Sequence, residues 1–234
     1  MENTELTQLP VSSLTDEKRV VFYKKTYTHL AIAVLAFIVI EYAFLNISFI
    51  REAAFSMLEG IRWLILLGGF MLVTSFAERM AIKTHNVKGQ YLGLLLYIAA
   101  EAFIFIPLIY IAMAMSGGEL LYQAAILTLS LFTGLSAIVL LTKKDFSFLR
   151  SALTVGFFIA LGLIVAGTLF GFNLGLWFSV GMVVLASGSI LYQTSNIVHK
   201  YSEDQYVAAS LGLFAALMLL FWYILQILMR LSGD

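Results

Sequence analysis

Apolar positions gather into seven long runs, approximately Tyr27–Leu45, Ile61–Ala77, Tyr91–Met115, Leu120–Thr142, Leu149–Phe170, Leu174–His199 and Tyr206–Leu231, separated by short stretches that hold most of the charge. About 20 apolar residues cross a hydrocarbon core of roughly 30 Å as a helix. In lipid an open strand leaves its amides unpaired, and a barrel needs short alternating segments that this pattern lacks, so each run is read as a helix. The expected fold is all-α, a polytopic membrane protein with seven transmembrane helices. Residues 1–26 are mostly polar, with Asp16-Glu17-Lys18-Arg19 and Lys24-Lys25, and are read as a cytoplasmic tail rather than a cleaved signal. The remainder divides into a transmembrane domain, 27–231, and a short outer C-terminus, 232–234.

Composition sharpens this. Of 234 residues, 61% are hydrophobic and 12% charged, with a mean hydropathy of +0.95, far from the balance of a soluble globule. The 14 basic and 14 acidic residues cancel, which leaves no basic surface for nucleic acid. The absence of Cys removes disulfides, thiolate nucleophiles and Cys-type metal sites. With the N-terminus inside, the cytoplasmic side carries most Lys and Arg, leaving Arg51, Arg62 and Arg230 opposite. The positive-inside rule therefore places the N-terminus in the cytoplasm and the C-terminus outside. The outer connections 116–119 and 171–173 are too short to form a domain of their own.

Small residues mark where helices can touch. Ala208, Gly212 and Ala216 recur every fourth position of the seventh span, which suits a helix at the bundle centre. The fifth span carries Gly156-Ala160 and Gly162-Ala166 for the same purpose. Only two carboxylates lie deep within spans, Glu41 in the first and Glu101 in the third, at depths of about 16 Å and 14 Å from the cytoplasmic ends. Each must be neutral, paired or wet. Facing each other they would share a proton or a cation; apart, each is hydrogen-bonded to a neighbouring helix or hydrated. Ser189, Gln193 and Asn196 share one face of the sixth span, either as a polar path or as interhelical hydrogen bonds. Pro107 marks a hinge or a static kink in the third.

Enzymatic readings fail on spacing. Ser189 and His199 lie on one helix about 15 Å apart, so they form no protease dyad. No Lys lies deep enough for a retinal Schiff base. His29, His85 and His199 make no metal-binding motif. The chain is read as a non-enzyme without cofactor or resident metal.

Two stretches carry a family resemblance. Thr142-Lys143-Lys144-Asp145-Phe146-Ser147-Phe148-Leu149 resembles the cytoplasmic turn between the fourth and fifth spans of the Bax inhibitor-1 family. Ile190-Leu191-Tyr192-Gln193-Thr194-Ser195-Asn196-Ile197-Val198-His199, followed by a polar loop and a final apolar helix, resembles its C-terminal signature, most closely in the bacterial YccA-like branch. The resemblance covers about residues 20–231. It implies six helices around a central seventh, residence in a bacterial inner (plasma) membrane, and regulation of membrane-protein quality control through the membrane AAA protease FtsH. It also implies, as the alternative, a pH-sensitive calcium leak governed by paired acids on the sixth and seventh spans. In this chain those two positions are Gln193 and Ala216, neither of which titrates. The expected partners are thus the lipid bilayer, a membrane-bound protease and, on the alternative, calcium or protons, with Glu41 and Glu101 as candidate sensing groups and Ser189 and Asn196 as a candidate polar pathway.

Overall fold

The structure, a computed structural model, describes residues 10–83 and 87–233, so His85 lies outside the described residues. A single 3₁₀ turn, Val11–Ser13, precedes eight helices: α1 Asp16–Asn46, α2 Ser48–Ser56, α3 Ile61–Lys83, α4 Val87–Ser116, α5 Glu119–Thr142, α6 Leu149–Phe170, α7 Gly175–His199 and α8 Tyr206–Gly233. All but α2 are long and apolar enough to span a membrane. We call the face holding Pro10 and the 143–148 and 200–205 connections the near face. The far face holds α2 and the α4–α5 and α6–α7 connections.

The expected helices form, with two extensions beyond the apolar runs. The first is at the start of α1, which begins at Asp16 rather than Tyr27. Asp16 and Glu17 occupy its first turn, where carboxylates suit the positive end of the helix dipole. Its 31 residues make a rod of about 46 Å, longer than the hydrocarbon core is thick. The segment read as a tail is therefore structured from Pro10 onward. Val11 is fully buried, its amide donates to the Tyr201 carbonyl at 2.8 Å, and Pro10 bridges Ser202. Arg19 locks this strap from behind, donating to the carbonyls of Val11 and Ser12 at 3.2 and 2.6 Å. The second extension is α2, too short to span, which seals the far face through buried Ala54 and through Phe55 set edge-on to Tyr110.

Burial identifies the centre. In α4 and α8, 67% and 61% of the apolar window is buried, against 6–28% in the other five spans. The seventh span, α8, is central as expected from its small residues, and Ala208 and Ala216 are buried. It shares that position with α4, where every residue from Ile104 to Ile109 is buried. A helix apolar on all sides belongs inside, where it is surrounded by other helices. Pro107 is one of these enclosed residues, and α4 runs through it as a continuous helix.

Close approach depends on missing side chains. A Cβ on Gly93 would stand 2.6 Å from the Ala77 carbonyl oxygen, so α3 and α4 meet backbone to backbone there. On α6, Gly156 and Ala160 turn toward α7, with Leu185 filling the space over Gly156, whereas Gly162 faces open space. Only the first of the two expected α6 pairs is a packing contact. Accordingly, Gly93→Ala should destabilise the folded protein by about 1–3 kcal/mol through overpacking against main chain that cannot yield. Gly162→Ala should leave it unchanged, as read by thermal unfolding in detergent. Equal unfolding midpoints for both variants would show that the α3–α4 contact is looser than described.

Candidate functional site

Two spans contribute a carboxylate, an amide and a serine hydroxyl to one cavity of about 300 Å³ within the bundle. Glu101 reaches it from α4, Ser189 and Gln193 from α7, and Ala216 from α8, with Trp63, Tyr97, Phe105, Trp222 and Tyr223 as aromatic walls. The helical repeat explains the convergence. Tyr97 and Glu101 are one turn apart on α4, so their side chains share the face that lines the cavity. Ser189 and Gln193 are likewise one turn apart on α7, while Gly212 on α8 gives Gln193 room. A Cβ at Gly212 would lie 2.9 Å from the Gln193 amide oxygen, so the small residue supplies the space the amide occupies.

The two acids singled out from sequence are not brought together. Glu41 closes the buried stripe of α1 that runs Phe22, Thr26, Leu30, Ala33, Phe37, Glu41, and neither of its carboxyl oxygens has a hydrogen-bond partner among the described residues. It is absent from the wall of the Glu101 cavity. The polar stripe of α7 divides as well. Ser189 and Gln193 face the cavity, with the Ser189 hydroxyl also donating to the Leu185 carbonyl at 3.1 Å. Asn196 is buried closer to the near face, where its carbonyl accepts from the amides of Lys200 and Tyr201 and ends the helix.

A second cavity of about 290 Å³ adjoins the first on the far side and shares Trp63, Ile164, Trp222 and Tyr223 with it. Its rim carries Asn173, Gln226 and Arg230, and the Arg230 guanidinium donates to the Asn173 side-chain oxygen at 3.4 Å. Neither the aromatic walls nor this second chamber was anticipated from the sequence. Trp63, Trp222 and Tyr223 lie at unremarked positions within apolar runs, and only the fold places them on one surface.

The near face holds a second polar assembly. Lys143 adopts a left-handed conformation at φ 52° and turns the chain out of α5. Asp145 Oδ1 then accepts from the Ser147 amide and hydroxyl at 2.8 and 2.6 Å and from the Ser195 hydroxyl at 3.2 Å. The Phe146 amide donates to Ser195 Oγ at 2.9 Å, which pins the turn onto α7. His199 Nδ1 lies 3.0 Å from the Ser195 carbonyl, so that nitrogen carries the proton. The Ser147 hydroxyl and amide, then Ser195 and nearby His199, hold the Asp145 carboxyl below the usual carboxylate range. Close by, burial pushes the Tyr201 phenol up to about 12, with Glu78 and Tyr192 adding to the effect. His29, the remaining described histidine, is a structural link. Its Nδ1 contacts the Lys25 carbonyl at 2.7 Å and its Nε2 contacts the Tyr91 hydroxyl at 2.6 Å, tying α1 to α4. No cluster of three or more His, Asp or Glu suited to a metal occurs among the described residues.

Among the described residues, seven long apolar helices, two of them enclosed, and a cavity lined by one carboxylate define an all-α, multi-pass membrane protein. Residues 19–233 match the family described as "Inhibitor of apoptosis-promoting Bax1", and the chain belongs to that Bax inhibitor family. It is 41% identical over 120 residues to an uncharacterized protein of Pseudomonas aeruginosa, a match covering 51% of this chain and 54% of that one. Bax inhibitor 1 of Schizosaccharomyces pombe is 27% identical over 231 residues, covering 96% of this chain and 82% of the yeast protein. The Escherichia coli K12 protein named "Modulator of FtsH protease YccA" is 30% identical over 156 residues, 66% of this chain and 71% of its own length.

Because the folded Asp145 titrates below its ordinary value of about 4, its contribution to docking the turn is present above that pH and is lost as pH falls through the lower folded value. At neutral pH, Ser195→Ala should speed hydrogen exchange at the Phe146 amide, since its acceptor is removed. In wild type that amide should keep its protection down to about pH 4 and lose it only below. Unchanged exchange in Ser195→Ala would show that the turn is held by something else.

Proposed function

We propose that this protein is a non-enzymatic regulator of membrane-protein quality control, resident in a bacterial inner membrane with its N-terminus cytoplasmic, acting through a membrane-bound AAA protease of the FtsH type. The observation that carries the reading is the similarity to YccA, whose name describes an FtsH modulator and, in the strain CFT073 protein, an inner membrane protein.

The cavity chemistry supports regulation over a gated calcium leak. At the positions where the family resemblance implies an acid pair, the amide of Gln193 and the methyl of Ala216 share the cavity wall. Neither changes charge with pH, so no repulsion between them can drive an opening. Calcium favours six to eight oxygen ligands, whereas here Glu101, Gln193 and Ser189 stand among aromatic and aliphatic side chains. The near face offers the surface for a cytoplasmic partner, where the strap at Pro10–Ser13 pairs with the connection that follows α7 and the turn at Asp145 is pinned to α7.

In cells of a host carrying an FtsH-type protease, the full-length protein should co-purify with that protease and alter the half-life of one of its membrane substrates. Reconstituted alone into liposomes, it should pass no more calcium than empty vesicles at either pH 6 or pH 8, limits set by the usual titration range. Absence of both co-purification and any change in substrate lifetime would defeat the protease reading. Calcium flux that Glu101→Gln abolishes would put the leak in its place.

A further inference from the structure

Consider what the central cavity could hold. Its volume of about 300 Å³ equals that of roughly ten water molecules in the liquid. Its wall combines one carboxylate, Glu101, with an amide, a serine hydroxyl and an unusual share of aromatic surface from Trp63, Tyr97, Trp222 and Tyr223. Among the described residues no Lys or Arg lines it. Arg230 belongs to the adjoining chamber, where Asn173 engages it. Glu101 is buried, with 6% of its surface exposed, and Tyr97 stands one turn away on the same wall. A carboxylate in such a place is held ionised only when a cation stands beside it.

The nature of that cation follows from the walls. A hard divalent ion favours several carboxylate oxygens, and this wall offers one carboxylate among the described residues. An organic ammonium ion needs less: it carries a single charge, it is attracted by the faces of Trp and Tyr, and it requires one counter-charge. Gln193 adds a neutral acceptor opposite. We propose that the cavity is a binding site for a small organic ammonium ion, primary or quaternary and of no more than about ten non-hydrogen atoms, with Glu101 as its counter-ion and the Trp63 and Trp222 rings as its apolar cradle. This site is independent of the protease reading and would stand if that reading fell.

The tryptophans provide the test. The chain has three, and the one outside the cavity, Trp177, is 84% exposed on the lipid-facing surface. In the Trp177→Phe protein, reconstituted in nanodiscs, fluorescence therefore reports on Trp63 and Trp222, which line this cavity and the chamber adjoining it. Tetraethylammonium and tert-butylammonium should each give a saturable change, while tert-butanol, close to the second in shape but uncharged, and calcium should give none. Adding Glu101→Gln should weaken ammonium binding about tenfold or more. Adding Gln193→Glu instead, which places a second carboxylate on the same wall, should tighten it about tenfold, a gain that misfolding cannot mimic. No saturable response to either ammonium ion, an equal response to tert-butanol, a preference for calcium, or unaltered affinity in both charge variants would overturn the proposal.

Discussion

Everything in this molecule depends on how closely two enclosed helices can stand to their neighbours. Lipid gives helices no hydrophobic reason to associate, because the tails are as apolar as leucine. What remains is dense van der Waals contact, which falls away within an ångström of misfit. Gly93 lets α4 lie against the main chain of α3, and Gly212 lets α8 receive the Gln193 amide of α7. These two approaches fix the walls between which the cavity sits. They also explain why the outer helices are so sparsely buried: α6 and much of α1, α3 and α7 face lipid, where an apolar side chain needs no protein partner.

The same geometry separates groups that look equivalent in a linear reading. Glu41 and Glu101 count to similar depths along their apolar runs, yet one ends the buried stripe of α1 without a hydrogen bond among the described residues and the other faces a cavity beside Tyr97. The cavity's chemistry is set by contrast, with one carboxylate among aromatic rings and neutral polar groups in the described wall. That combination favours holding a soft monovalent cation over conducting a hard divalent one. At the near face the opposite regime holds: charges and hydrogen bonds at Asp145, Ser195 and Arg19 organise exposed backbone where water is present.

Much of the fold was legible because hydropathy and backbone satisfaction in lipid leave few alternatives. All seven spans appear, and the small residues of α8 signalled its central place. The enclosure of α4 was not legible, since its signal is the absence of a polar face, which a lipid-exposed helix shares. The start of α1 was masked by charged residues that look like a tail and are in fact its first turns on the near face. At the site, Glu101, Ser189, Gln193 and Ala216 were all identified and do converge. Asn196 and Glu41 do not join them, because helical periodicity fixes which face a residue occupies but not what stands opposite. The aromatic walls had no sequence signal at all: Trp63 and Trp222 come from α3 and α8 and meet only in three dimensions.

The claim that α4 and α8 together form the enclosed centre can be tested without altering a single residue. Photolabelling in bilayers with a lipid-soluble carbene precursor, read peptide by peptide in a mass spectrometer, reports which helices touch lipid. The account predicts dense modification of α6 and sparse modification of both α4 and α8. Labelling of α4 or α8 to the same density as α6 would contradict it.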